Sequence, residues 1–139
     1  MKLFRANEPL KSVLMWGINY SYSTLDHVKP RAMLLKDDFK SYFKVKVNHH
    51  LFNKENMPGR FKFKEYCPLV FKNLRDRFFV DKTDYWDAFT RCQPLWDSMR
   101  GKSGSKFLVT QNRQFVVKTI SSEEVEQMHH MIENYHEVS

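Results

Sequence analysis

Gly101-Lys102-Ser103-Gly104-Ser105-Lys106-Phe107-Leu108-Val109-Thr110-Gln111-Asn112-Arg113-Gln114-Phe115-Val116-Val117-Lys118 is the stretch on which the fold turns. Two glycines open a flexible turn. Phe107-Leu108-Val109 and Phe115-Val116-Val117 then read as short strands joined through the polar turn Gln111-Asn112-Arg113, a hairpin. Bare backbone N–H groups at a glycine turn, with a positive charge returned beside them, are the parts of a phosphate site. On its strand Lys118 shares a face with Val116 and Ile120, so alternation carries its ammonium toward apolar surroundings. Lysine is almost never fully buried unless paired, and an anionic partner is expected. The plain alternative is a simple turn followed by a lysine in water.

The triplet Gly101-Lys102-Ser103 also invites a P-loop reading, which fails twice. That motif needs glycine five residues before Gly101, where Trp96 stands. It also needs a helix directly after the Lys-Ser pair, aimed at the phosphates, and strand-like residues follow here instead.

With 139 residues the chain is one domain or part of one, long enough for a modest core. Hydrophobic residues make up 42% and aromatics 15%, which excludes disorder by composition. No apolar run approaches the roughly 20 residues of a membrane-spanning helix. A signal-peptide hydrophobic region is absent from the N-terminus. Cys67 and Cys92 fit neither a metal pattern nor a disulfide framework, so reduced thiols are expected. The net charge of +7 hides an asymmetry. Residues 1–80 carry sixteen Lys and Arg against seven Asp and Glu, a net of +9; residues 81–139 carry seven against nine, a net of −2. A basic first half facing nucleic acid or an acidic membrane follows from that balance.

Asn7-Glu8-Pro9 reads as a helix start, and Leu10, Val13, Leu14, Gly17, Ile18 and Tyr22 keep a helical period to about Asp26. Met15 and Trp16 widen this stripe beyond one packing face, which suits either a subunit contact or burial in a single core. Lys29-Pro30 breaks the helix. Residues 42–47 alternate strictly, with Phe43, Val45 and Val47 on one face and Lys44 and Lys46 on the other. Arg60-Phe61-Lys62-Phe63-Lys64 repeats the pattern. The two segments could present one flat positive surface or merely two solvated faces. Residues 65–78 read as a helix with Leu69, Val70, Leu74 and Phe78 inward, and residues 84–91 as a shorter one. Ser121 with Glu124 fits a capping box opening a last helix that carries Val125, Met128, Ile132 and Tyr135. His49, His50, His129, His130 and His136 form no metal-ligand spacing and are expected at the surface or in caps.

Several blocks carry a resemblance. Leu3-Phe4-Arg5-Ala6-Asn7-Glu8-Pro9, residues 12–17 (Ser-Val-Leu-Met-Trp-Gly), residues 33–40 (Met-Leu-Leu-Lys-Asp-Asp-Phe-Lys), residues 50–56 and residues 61–68 (Phe-Lys-Phe-Lys-Glu-Tyr-Cys-Pro) resemble the start of the phosphatidylinositol phosphate kinases. These blocks are most like the type II group, the phosphatidylinositol-5-phosphate 4-kinases. Gln93-Pro94-Leu95-Trp96 and residues 101–105 look more like the type I 5-kinases. The similarity covers nearly all of residues 2–136.

The resemblance implies an α+β fold: a lipid-kinase N-terminal lobe with an antiparallel sheet, a long N-terminal helix and two or three further helices. It divides the chain into a basic dimerisation and membrane-facing region, 1–80, and a region of phosphate loop, hairpin and following helix, 81–139. Gly101, Lys102, Ser103, Gly104 and Ser105 would form the ATP-phosphate loop, Lys118 would contact the phosphates, and Glu124 is the candidate partner of Lys118, in competition with its capping role. Lys44, Lys46, Lys62 and Lys64 would face an anionic phosphoinositide membrane, and a homodimer would form through the N-terminal helix and nearby strand. ATP and Mg are the implied cofactors, and the location is cytoplasmic at the membrane periphery, or nuclear. Phosphoryl transfer needs a carboxylate to orient the hydroxyl and others to hold Mg²⁺. No catalytic residue or metal ligand is matched among residues 1–139, so an N-lobe without its catalytic C-lobe, inactive alone, is expected. The alternative is a non-catalytic module that dimerises, binds acidic membranes and regulates a full-length kinase. RNA binding has charge and aromatics in its favour but no motif.

Overall fold

The computed structural model describes residues 9–25, 33–48, 60–96 and 107–138. The helix cap at Asn7-Glu8, the break at Lys29-Pro30, His49 and His50, and the glycine turn 101–105 lie outside the described residues. The fold is α+β. Helix α1 (Pro9–Leu25) precedes a one-turn 3₁₀ helix (Lys36–Phe39) and strands β1 (Tyr42–Val47) and β2 (Phe61–Tyr66). Helices α2 (Pro68–Arg77) and α3 (Lys82–Thr90) follow, then β3 (Leu95–Trp96), β4 (Phe107–Val109), β5 (Val116–Lys118) and α4 (Ser122–Val138).

The single expected sheet is two among the described residues: an antiparallel β1–β2 ribbon, and an antiparallel sheet in the order β3–β4–β5. The two-residue β3 had no periodicity to announce it; it exists because Leu95 and Trp96 pair with Val109 and Leu108. The hairpin loop is one residue longer than expected. Thr110 and Phe115 close it, with Thr110 N–H donating to the Phe115 carbonyl at 3.0 Å and the buried Thr110 hydroxyl accepting the Phe115 N–H at 3.1 Å. Arg113 supplies the left-handed residue, at φ 59°.

The expected helix 65–78 begins late. Glu65 and Tyr66 finish β2, and Cys67, at φ 49°, turns the chain into α2 with Pro68 in the first turn. Pro68 fits there because its missing N–H would be unsatisfied in any case. Cys67, Val70 and Leu74 pack with Ile132 of α4 to form a buried cluster, flanked by Leu34, Phe39, Tyr66, Phe71 and Met128. Three expected positions differ. Phe78 stands exposed past the helix end, and Tyr135 is exposed on α4. His136, expected at the surface, is buried, because its Nε2 hydrogen-bonds Asn73 Oδ1 at 2.7 Å and its ring stands edge-on to Phe39.

Helix α1 is also rotated relative to its apolar stripe. Leu10 is exposed while Lys11, Ser12, Met15, Gly17 and Ser21 are buried. The reason is a close approach: a Cβ on Gly17 would overlap the Phe63 ring of β2, so only glycine lets the helix lie this near the ribbon. That contact turns Ser21 to donate its hydroxyl to Glu65 Oε2. On the side facing α3, Trp86 Nε1 donates to Asn19 Oδ1 at 2.9 Å.

Candidate functional site

The three-stranded sheet has one covered face and one open face. Leu108 pairs with Val117, and Phe115, in the same alternation, packs its ring on Tyr85 and Phe89 of α3 at 5.5 and 5.6 Å. The other face carries Leu95, Phe107, Val109, Val116 and Lys118, where Leu95 and Val116 are exposed, as is Ile120 beyond the strand. The expectation that Lys118 enters apolar burial is corrected: its side chain is 46% exposed. The strand alternation was right, but α3 covers the opposite face and leaves this one an open apolar shelf.

Lys118 Nζ on that shelf lies 3.9 Å from Glu124 Oε2 and over the Phe107 ring at 5.8 Å. Glu124 stands in the first turn of α4. Its Oε1 accepts the Ser121 N–H at 3.1 Å, and Ser121 Oγ accepts the Glu124 N–H at 3.2 Å. The capping box and the lysine contact therefore coexist, one carboxylate oxygen serving each. The Ser121 N–H above all, and then the Ser121 hydroxyl and Lys118, hold the Glu124 carboxyl below its ordinary range. The result is a cation on a strand, steadied by a helix carboxylate, at the edge of an apolar surface that a flat ring could cover. These parts suit a ligand that carries both a flat apolar ring and an anionic group. The sequence positioned both residues; the exposure of their surroundings it did not show. Among the described residues no group of three or more His, Cys, Asp or Glu is placed to hold a metal ion.

The ribbon β1–β2 presents a second surface. Lys44 stands opposite Lys64 and Lys46 opposite Lys62, all four exposed on one face with Tyr42 and Tyr66 at its end. Phe43, Val45, Val47, Phe61 and Phe63 occupy the other face. Lys64 Nζ sits 4.1 Å from the Tyr42 ring centroid and 4.8 Å from that of Tyr66. Like charges directly opposite each other weaken strand pairing. No helix of the described residues is long and apolar enough to cross a membrane.

Comparison with known proteins bears on both surfaces. Residues 92–138 match the family profile Phosphatidylinositol-4-phosphate 5-Kinase. Over 137 residues, 99% of the chain, it is 54% identical to phosphatidylinositol 5-phosphate 4-kinase type-2 beta of Rattus norvegicus. It is 54% identical to the type-2 alpha protein of Sus scrofa and 52% identical to that of Gallus gallus. The chain spans about a third of the length of the curated relatives it matches. It is thus similar to the phosphatidylinositol phosphate kinases, and to their type II group along almost its whole length.

Proposed function

We propose that this chain is the part of a phosphatidylinositol phosphate kinase that holds the phosphates of ATP, and that the whole kinase transfers the γ-phosphate to the 4-position of phosphatidylinositol 5-phosphate. The observation that carries the reading is the Lys118–Glu124 pair beside the open apolar shelf. Kinases place a strand lysine on the nucleotide phosphates and lock it with a carboxylate from a nearby helix, since transfer rests mainly on positioning and electrostatic stabilisation. The names of the type-2 relatives supply the lipid and the ring position. In this reading Gly101, Lys102, Ser103, Gly104 and Ser105 are phosphate-binding residues alongside Lys118. In the same reading the base and the Mg²⁺ ligands are not among the described residues, and residues 1–139 in isolation are expected to transfer no phosphate.

A lysine-reactive acyl-phosphate derivative of ATP tests the nucleotide half. Lys118 is expected to be labelled faster than the exposed ribbon lysines and to be protected by excess ATP. Equal labelling without protection contradicts the assignment.

The ribbon favours a further role for the same segment, docking on anionic lipid as part of a homodimer through α1 and β1. Near such a surface each lysine contributes about 1 kcal/mol, so four aligned lysines supply roughly 4 kcal/mol before salt screening. That adhesion needs no catalytic residue. A chain that only dimerises, binds acidic membranes and regulates a full-length kinase would use the same face. Phosphate transfer by the kinase containing this segment separates the two readings.

A further inference from the structure

On the α1 side of the ribbon, a cavity of about 180 Å³ lies where α1, β2, α2 and α3 meet. Ile18 and Leu25 of α1, Phe63 of β2 and Val80 form its apolar wall, and Glu65, Arg75 and Tyr85 its polar one. Arg75 is the unusual member. Its guanidinium carbon lies over the Tyr85 ring, 4.5 Å from the centroid, a cation–π contact that holds the head group at the cavity wall. Yet among the described residues no hydrogen bond or ion pair of 4 Å or less reaches its five N–H donors. Each neighbouring carboxylate has one oxygen engaged by another group. Glu65 takes the Ser21 hydroxyl on Oε2, and Asp76 pairs with Lys72 at 3.6 Å. Glu65 feels the Arg75 charge, but burial outweighs it and raises the carboxyl above its ordinary range.

A planar, half-buried guanidinium with unmatched donors is built for a carboxylate, which meets its fork with two parallel hydrogen bonds. Apart from Lys64, whose ammonium lies over Tyr42 and Tyr66 on the far face of the ribbon, the lining has Lys72, Arg75 and Lys82 against Glu65 and Asp76, an excess of positive charge that disfavours cations. Size limits the rest, since an apolar cavity of about 150 Å³ admits one benzene. We infer that this cavity binds a small amphiphilic carboxylate, its ring against Ile18, Leu25 and Phe63 and its carboxylate on Arg75. Because the walls come from α1 on one side and α2 and α3 on the other, such a ligand ties the N-terminal helix to the rest of the chain.

Calorimetric titration of the 139-residue chain with benzoate tests this, with benzamide as an uncharged isostere and phenyl phosphate as the other anion. Saturable one-site binding of the carboxylate is expected, at least tenfold weaker for the amide and for the phosphate. Arg75→Gln should weaken the carboxylate at least tenfold, and Ile18→Phe, which fills the cavity, should abolish binding. Equal affinity for acid and amide, unchanged binding by Arg75→Gln, or no saturable binding to a chain that is folded by circular dichroism overturns the proposal. Tighter binding of the phosphate overturns the ligand class. Should Arg75→Gln fail to fold, the acid–amide comparison and Ile18→Phe decide.

Discussion

Glu124 meets Lys118 Nζ through Oε2 at 3.9 Å while its Oε1 closes the α4 cap on the Ser121 N–H. The two tasks are separable by mutation. Glutamine serves a capping box as well as glutamate does, so Glu124→Gln should leave thermal stability nearly unchanged while removing the charge that steadies Lys118. Ser121→Ala should do the reverse, costing about 1 kcal/mol through the lost cap with the Lys118 contact retained. Thermal unfolding of the two variants, alongside ATP-probe labelling of Lys118, reads both effects. The carboxyl is held below its ordinary range, so its contribution is complete above the unfolded value and is lost as pH falls through the lower folded one.

Gly17 and Phe63 mark the closest approach of α1 to the ribbon. In an exposed helix, Gly→Ala gains about 1 kcal/mol. Here the new methyl must displace an aromatic ring, and overpacking of this kind costs about 1–3 kcal/mol. Gly17→Ala should therefore destabilise the chain in urea titration, and Gly17→Ala/Phe63→Leu should recover much of the loss.

Phe79 occupies the left-handed position that ends α2. Its N–H donates to the Asp76 carbonyl at 3.2 Å and the next N–H, of Val80, to the Arg75 carbonyl at 2.9 Å. This is the paired closure in which glycine is usual. A phenylalanine there, at φ 58° and 93% exposed, accepts strain without burying its ring. Phe79→Gly should raise stability by about 1 kcal/mol, measured as an increase in the urea midpoint.

How far the sequence was legible follows from such details. Strand β1 was read to the residue because six residues alternate without exception, and α4 because its capping box is a local signal. The lysine face followed from the same period of two. Distant contacts were invisible: the Gly17–Phe63 approach that rotates α1, the Asn73 bond that buries His136, and the α3 packing that left the Lys118 face open. Each of these reverses an inside–outside assignment made without knowledge of the packing partner. Arg75 gave no signal either, since its meaning depends on a Tyr85 ring ten residues away and a carboxylate from another element.

His136 makes the pH dependence of the α2–α4 core testable. Burial first, and the Arg77 charge second, hold its imidazole below the ordinary histidine value. The unfolded chain then binds the proton more readily, so stability is complete above about pH 6.5 and falls as pH drops toward the folded value. Glu65 acts oppositely: burial raises it, and its effect is a loss of stability as pH rises through its window above about 4.5. Comparing unfolding at pH 7.5 and 5.5 for the chain and for His136→Gln isolates the histidine. The variant should show the smaller loss on acidification.

The ribbon faces a conflict between folding and adhesion. Lys46 and Lys62 oppose each other directly, so Lys62→Glu should strengthen strand pairing by about 0.2–1 kcal/mol. The same change should weaken flotation with vesicles containing anionic lipid, with a steeper loss at low salt than at high. Unchanged flotation would remove the ribbon from the membrane account.

The central claim is that this segment is the ATP-holding part of a phosphoinositide kinase. Grafting residues 1–139 in place of the matching third of rat type-2 beta tests it most directly, with ³²P transfer from ATP to phosphatidylinositol 5-phosphate in vesicles as the readout. The graft is expected to restore transfer and Lys118→Ala within it to reduce the rate at least a hundredfold, with folding intact by circular dichroism. A folded graft without transfer, or one in which Lys118→Ala keeps the full rate, would contradict it.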